Sequence, residues 1–230
     1  MRDSGRRCRG PVSRRDGGYT LVEMLVAMSL FAGVLAIVFT ILITVSWQSR
    51  DNLARDNSVA QARLALMQID RQVRSGNVIA DPSSDPLLNS GAAQYYSLRV
   101  YTQTDGVYQC VQWRVVFPTD PQFGELQYRS WMKDWLTGGA VTDWRVVARN
   151  VVKPTSAILS SSDPSTWPPF FIDTSFAAGS RAQTIRVTMR LKDPGARASS
   201  KPITVTSVLT GRNTVFGYDS DECATVPPTG

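Results

Sequence analysis

The 230-residue chain contains no histidine, so the commonest general base and a frequent metal ligand are both missing. Its serines, cysteines and carboxylates form no local nucleophile motif such as Gly-x-Ser-x-Gly, and no glycine-rich phosphate loop is present. We therefore expect no catalytic residues, no metal site and no cofactor. A tethered enzyme would work without histidine, for example through paired carboxylates as a glycosidase does. Cysteine is scarce, with Cys8, Cys110 and Cys223 the only three. Charge is missing locally: from Met24 through Ser49 there is no Asp, Glu, Lys or Arg.

That uncharged run is mostly Leu, Val, Ile, Ala, Met and Phe, and as a helix it is long enough to cross a hydrocarbon core of roughly 30 Å. Ahead of it stand Arg2, Arg6, Arg7, Arg9, Arg14 and Arg15 against Asp3 and Asp16. By the positive-inside rule this head stays in the cytoplasm and everything beyond Arg50 is sent outward. A secretory signal peptide also has a basic head, but its apolar region is only about 7–15 residues and ends at small residues. Here Thr44-Val45-Ser46-Trp47-Gln48 leads straight into more helical sequence. Glu23 is the exception that needs a reason, since a carboxylate deep in a bilayer costs about 2.5–3.5 kcal/mol.

The junction Gly18-Tyr19-Thr20-Leu21-Val22-Glu23-Met24-Leu25 resembles the N-terminal motif of type IV pilins and of type II secretion pseudopilins. The resemblance implies that a prepilin peptidase cuts after Gly18 on the cytoplasmic side. It also implies that Tyr19, standing where the family usually has Phe, becomes the N-methylated first residue. Glu23 then falls at the fifth mature position, where the family keeps a carboxylate to pair with the amino group of a neighbouring subunit. The physics is consistent, because a carboxylate in low dielectric is tolerable when a cation meets it.

Residues 1–18 carry six arginines and two aspartates, so +4 of the chain's +6 belongs to the leader and about +2 stays with the remainder. A nucleic-acid role argued from bulk charge loses its footing. Cys8 leaves with the leader as well. Cys110 and Cys223 remain as an even pair in an exported, oxidising setting, either bridged across a long loop or as two separate thiols.

Residues 50–74 carry charge together with apolar residues at Val59, Ala62, Leu66, Ile69 and Val73, spaced by three and four. This stripe predicts a helix packed on a domain core, with Asp70, Arg71 and Arg74 on a solvated face. Ser75-Gly76-Asn77 supplies the stop, and Pro82 and Pro86 reinforce it. A helix from Tyr19 to Arg74 would be on the order of 85 Å long.

The remainder reads as β structure. Residues 95–103 and 107–117 predict a hairpin across Asp105-Gly106. Further strands are expected at 125–133, 143–152, 184–191 and 203–210. In the segment 184–191, Ile185, Val187, Met189 and Leu191 are expected to face a core, with Thr184, Arg186, Thr188 and Arg190 toward water. The expected fold is α+β, a long helix packed on an antiparallel sheet. Its divisions are a leader at 1–18, a membrane and assembly helix at 19–49, an amphipathic helix at 50–75 and an exported head at 76–230.

Major pilins typically bend their helix at a proline, and Val38-Phe39-Thr40-Ile41-Leu42 has none. The stretches 66–74 and 209–213 resemble minor pilins and minor pseudopilins of the PilW and PulJ type. This implies a low-copy subunit that primes assembly at a fibre tip. Its partners would be the prepilin peptidase, other pilins or pseudopilins, the inner-membrane assembly platform and the membrane, but not nucleic acid. It would be single-pass in the cytoplasmic membrane, then in a pilus or pseudopilus at the cell surface. The rival is a single-span anchored domain with enzymatic or receptor activity. The segment 153–180, centred on Trp167-Pro168-Pro169-Phe170-Phe171, is either a contact surface or a cover folded over the sheet edge. Asp219, Asp221 and Glu222 read as a solvated acidic turn rather than a calcium loop.

Overall fold

The computed structural model describes residues 17–84, 90–156, 158–159, 162–172 and 182–228. Most of the leader, including Cys8 and its six arginines, lies outside these residues, as do 173–180 of the proline-rich segment. The chain forms two compact units, Met1–Gln48 and Ser49–Gly230.

Helix α1 runs Leu21–Arg74. It contains no proline, and Ser29, Thr40 and Thr44 return their hydroxyls to carbonyls of the preceding turn at 2.7–2.8 Å. Its first part is therefore a self-satisfied apolar rod, the condition for a helix in lipid.

Within the second unit, α1 buries Ala54, Ser58, Ala62, Ala65, Leu66, Ile69 and Val73. The stripe is rotated slightly from the sequence expectation. Val59 is only half-buried, and Ser58 takes the inner position because its hydroxyl donates to the Ala54 carbonyl at 3.0 Å and so carries no unmet polar group inward. Small side chains at 54, 58, 62 and 65 allow the helix axis to lie close to the sheet. The helix stops after Arg74, where the Ser75 hydroxyl donates to the Arg71 carbonyl at 3.0 Å.

Among the described residues eight strands follow: β1 Gly76–Ile79, β2 Ser97–Thr104, β3 Val107–Val116, β4 Gly124–Trp131, β5 Arg145–Val151, β6 Phe170–Ile172, β7 Thr184–Leu191 and β8 Ile203–Thr210. All pair antiparallel, β1 to β5 in sequential order. Strand β7 carries β8 along one edge, while β6 and the single pair Val151↔Leu191 from β5 share the other. The sheet curls: β1 meets the far end, with the Ile79 amide donating to Gln183 Oε1 at 2.8 Å. The β2–β3 connection is the expected two-residue turn, with φ of 51° at Asp105 and 82° at Gly106.

The concave face holds the main core, in which Ile69 and Val73 of α1 meet Leu98, Val111, Trp113, Leu126, Phe170 and the odd-numbered residues of β7. The opposite face of β7 departs from expectation, for all eight of its residues are buried. Arg186 stacks on Trp167, 3.8 Å from the ring centroid, and Arg190 Nη1 donates to the carbonyls of Lys153 (2.9 Å) and Ser165 (2.8 Å). The described part of the proline-rich segment thus lies over β7 as a cover, and its residues Phe170–Ile172 pair with β7 as β6. Burial draws the Arg190 guanidinium below its ordinary value, with Asp163 opposing that shift.

Candidate processing and assembly site

Gly17, Gly18, Tyr19 and Thr20 precede α1 in non-helical conformation and are all exposed. A Cβ placed on Gly18 would meet nothing within 4 Å, and neither would one on Gly17. Among the described residues, packing therefore makes no demand for glycine at either position. Tyr19 is 79% exposed.

Thr20 begins the helix. Its carbonyl accepts from the Met24 amide and its hydroxyl accepts from the Glu23 amide, each at 3.2 Å. Thr20 and Glu23 have the spacing of a capping box, so Glu23 sits at the third helical position, where the partial positive charge of the helix terminus favours an anion. The charge of Glu23 alone does not reveal this role of Thr20, but Thr-x-x-Glu ahead of an apolar run is a recognisable start signal in the sequence. From Leu21 to Trp47 the apolar side chains are exposed on every side of the helix. A surface of this kind in an isolated chain requires lipid or neighbouring helices. The helix is long and apolar enough to cross a membrane.

The second unit has its own polar assembly on the convex face. Cys110 and Cys223 are joined in a disulfide. Beside it the C-terminal segment crosses β2, β3 and β4, covering Val78, Tyr101 and Trp131. Arg99 Nη1 donates to the carbonyls of Cys223 (2.9 Å) and Ala224 (3.2 Å), and Arg129 donates to those of Pro227 (2.9 Å) and Pro228 (3.1 Å). Arg129 also donates to Gln112 Oε1. The acidic turn is only partly solvated: Asp219 and Asp221 are exposed, but Glu222 is half-buried and accepts from Lys133 Nζ at 2.6 Å. That hydrogen bond and its charge hold the Lys133 ammonium above its ordinary value. Among the described residues, no three His, Cys, Asp or Glu side chains come together in a metal-binding group.

Residues 13–44 match the family described as the prokaryotic N-terminal methylation motif. No curated protein and no solved structure matches the chain. The matched segment includes Gly18, Tyr19, Thr20 and Glu23 and most of the apolar rod. It is the motif of type IV pilin and pseudopilin precursors, which a prepilin peptidase processes, and it points to a structural rather than a catalytic protein. The long N-terminal helix and antiparallel sheet have the architecture of a pilin-like α+β fold. Motif and helix together fit a membrane-anchored protein.

Proposed function

We propose that the chain is the precursor of a minor pilin or minor pseudopilin of the PilW and PulJ type. A prepilin peptidase cleaves it between Gly18 and Tyr19, Tyr19 is N-methylated, and the apolar part of α1 packs among the helices of a pilus or pseudopilus. Glu23 sets the register by pairing with the new amino group of an adjacent subunit. The minor subunit joins other pilins at the inner-membrane assembly platform, with its N-terminus cytoplasmic before assembly, and primes the fibre tip.

The observation that carries this reading is the methylation motif, coincident with an exposed non-helical Gly18–Tyr19 peptide immediately before a helix whose residues 24–49 carry no charge. The open surroundings of Gly18 among the described residues add support, because they leave the peptide accessible to a protease. The absence of proline from α1 and the large head, with its own core and disulfide, favour a minor over a major subunit.

The test is the N-terminal residue and intact mass of the protein recovered from membranes of its host. A start at Tyr19 bearing one added methyl group supports the reading, and a start at Met1 overturns it in favour of an anchored exported domain. Gly18→Asp should block processing; normal cleavage of that variant would count against the peptidase.

A further inference from the structure

The concave side of the sheet is not wholly filled by α1. Beside the last turns of the helix a cleft of about 640 Å³ opens between the helix and strands β2 to β5. Its volume lies within the range of small-ligand sites, roughly 300–1,000 Å³. One wall is helical, with Gln68, Arg71 and Gln72. The floor is Trp113 and Tyr128, opposite each other in register and 4.8 Å apart between ring centroids. Gln109 and the β2–β3 turn close one end, and Arg145 stands on the far wall.

The polar groups are only partly used. Trp113 Nε1 donates to Gln72 Oε1 at 2.7 Å, which fixes that amide and leaves its NH2 to donate into the cleft. Gln109 Nε2 donates to Thr104 Oγ1 at 2.7 Å, leaving its carbonyl to accept. Among the described residues neither Arg71 nor Arg145 meets a carboxylate at ion-pair distance. Asp105 is the single acidic residue of the lining, so the cleft carries an excess positive charge. Val146 and Val147 are its only aliphatic residues, which makes it a poor receptacle for apolar peptide side chains.

Two unpaired guanidinium groups suit carboxylates, which they bind through paired N–H donors. Amides that offer both a donor and an acceptor suit neighbouring hydroxyl groups. We propose that this cleft binds an acidic saccharide, its carboxylates held by Arg71 and Arg145 and its hydroxyls by Gln68, Gln72 and Gln109. The proposal stands independently of how the N-terminus is processed.

The experiment is calorimetric titration of the full chain in zwitterionic-lipid nanodiscs with trigalacturonate, neutral galactotriose and hexaglutamate as probes. Trigalacturonate should bind saturably and at least about tenfold more tightly than galactotriose, and R71Q/R145Q should lose about tenfold or more of that affinity. Both arginines are exposed, so the variant's unfolding midpoint should match the parent's, and R145Q alone provides a milder version. No saturable binding of trigalacturonate by about 10 mM would overturn the proposal. So would affinity unchanged in R71Q/R145Q, or galactotriose binding as tightly as the acid. Hexaglutamate bound equally well with the same arginine dependence would make the cleft a general carboxylate site and overturn the saccharide assignment.

Discussion

Replacing both Cys110 and Cys223 with alanine should destabilise the head chiefly through its unfolded state. The bridge joins residues 113 positions apart, and opening a loop of that size returns to the unfolded chain an entropy worth about 5 kcal/mol at 25 °C. The native side loses far less. The C-terminal segment keeps its four carbonyl hydrogen bonds from Arg99 and Arg129, and a bond from a charged donor contributes about 1.5–3 kcal/mol net. Lys133 keeps its contact with Glu222 as well. The variant should therefore still fold with this segment docked, but lose about 5 kcal/mol from a total that for single domains is about 5–15 kcal/mol. Guanidinium unfolding of the full chain in nanodiscs, followed by tryptophan fluorescence, measures this directly. Trp131 and Trp135 lie beside the C-terminal segment and report on it. The denaturant slope should rise, since an unbridged chain exposes more surface when unfolded. A loss below about 1 kcal/mol, or an unchanged slope with the C-terminal amides newly exchanging, would refute the unfolded-state account and place the effect in the native contacts.

Glu23→Ala removes a favourable charge at the helix start worth only about 0.3–1 kcal/mol, too little to prevent insertion of the apolar rod. Processing should therefore persist while incorporation into fibres falls severely, and immunoblots of sheared fibres showing normal amounts of the variant would refute the pairing role. Ala65→Leu forces three extra carbons into the fully buried contact between helix and sheet, and should cost about 1–3 kcal/mol in a thermal or denaturant melt; a neutral result would mean that the helix does not lie close on the sheet. Burial pushes the Tyr96 phenol above the usual tyrosine range, with Arg190 opposing. The folded chain holds that proton longer than the unfolded one, so the associated stability is present below the ordinary tyrosine range and is lost as pH rises through the elevated value. Burial also raises the Tyr101 phenol, and the hydrogen bond with Tyr108 raises that of Tyr218, so phenolate absorbance should show a late phase that shrinks by one tyrosine in Tyr96→Phe without vanishing; a late amplitude unchanged in that variant would refute the assignment.

Much of the fold was legible because local and global signals agree. Asp105-Gly106 between alternating runs marks the hairpin, and strands β7 and β8 begin and end where their alternation does. Two short strands were not legible. Strand β1 is four residues long and starts on Gly76, which reads as a helix stop; β6 is three residues directly after Pro168-Pro169. Arg186 and Arg190 were misread as solvated because alternation cannot reveal what will cover a polar face. Their partners, Trp167 and the carbonyls of Lys153, Leu159 and Ser165, lie 19 to 37 positions away in sequence. The cysteine pairing was undecidable from spacing alone, since it depends on the C-terminal segment crossing β3. At the N-terminus the motif is plain, and the Thr20-x-x-Glu23 spacing carries the helix cap that the charge of Glu23 alone does not.

Strand β7 also sets the order in which the head can be completed. Among the described strands it is the one that joins β6 and β8 to the meander ending in β5, yet it begins at Thr184, and Cys223 follows it by a further stretch of chain. A polypeptide emerging N-terminus first presents the meander β1 to β5 with its concave face unfinished until residues 184–191 arrive. Until then Leu98, Val111, Trp113 and Leu126 have no strand β7 to share their core. The disulfide can form only after that, as the final fastening. A chain truncated shortly before Thr184 would keep its N-terminal helix and most of its strands, but remain an open half-barrel vulnerable to aggregation and proteolysis.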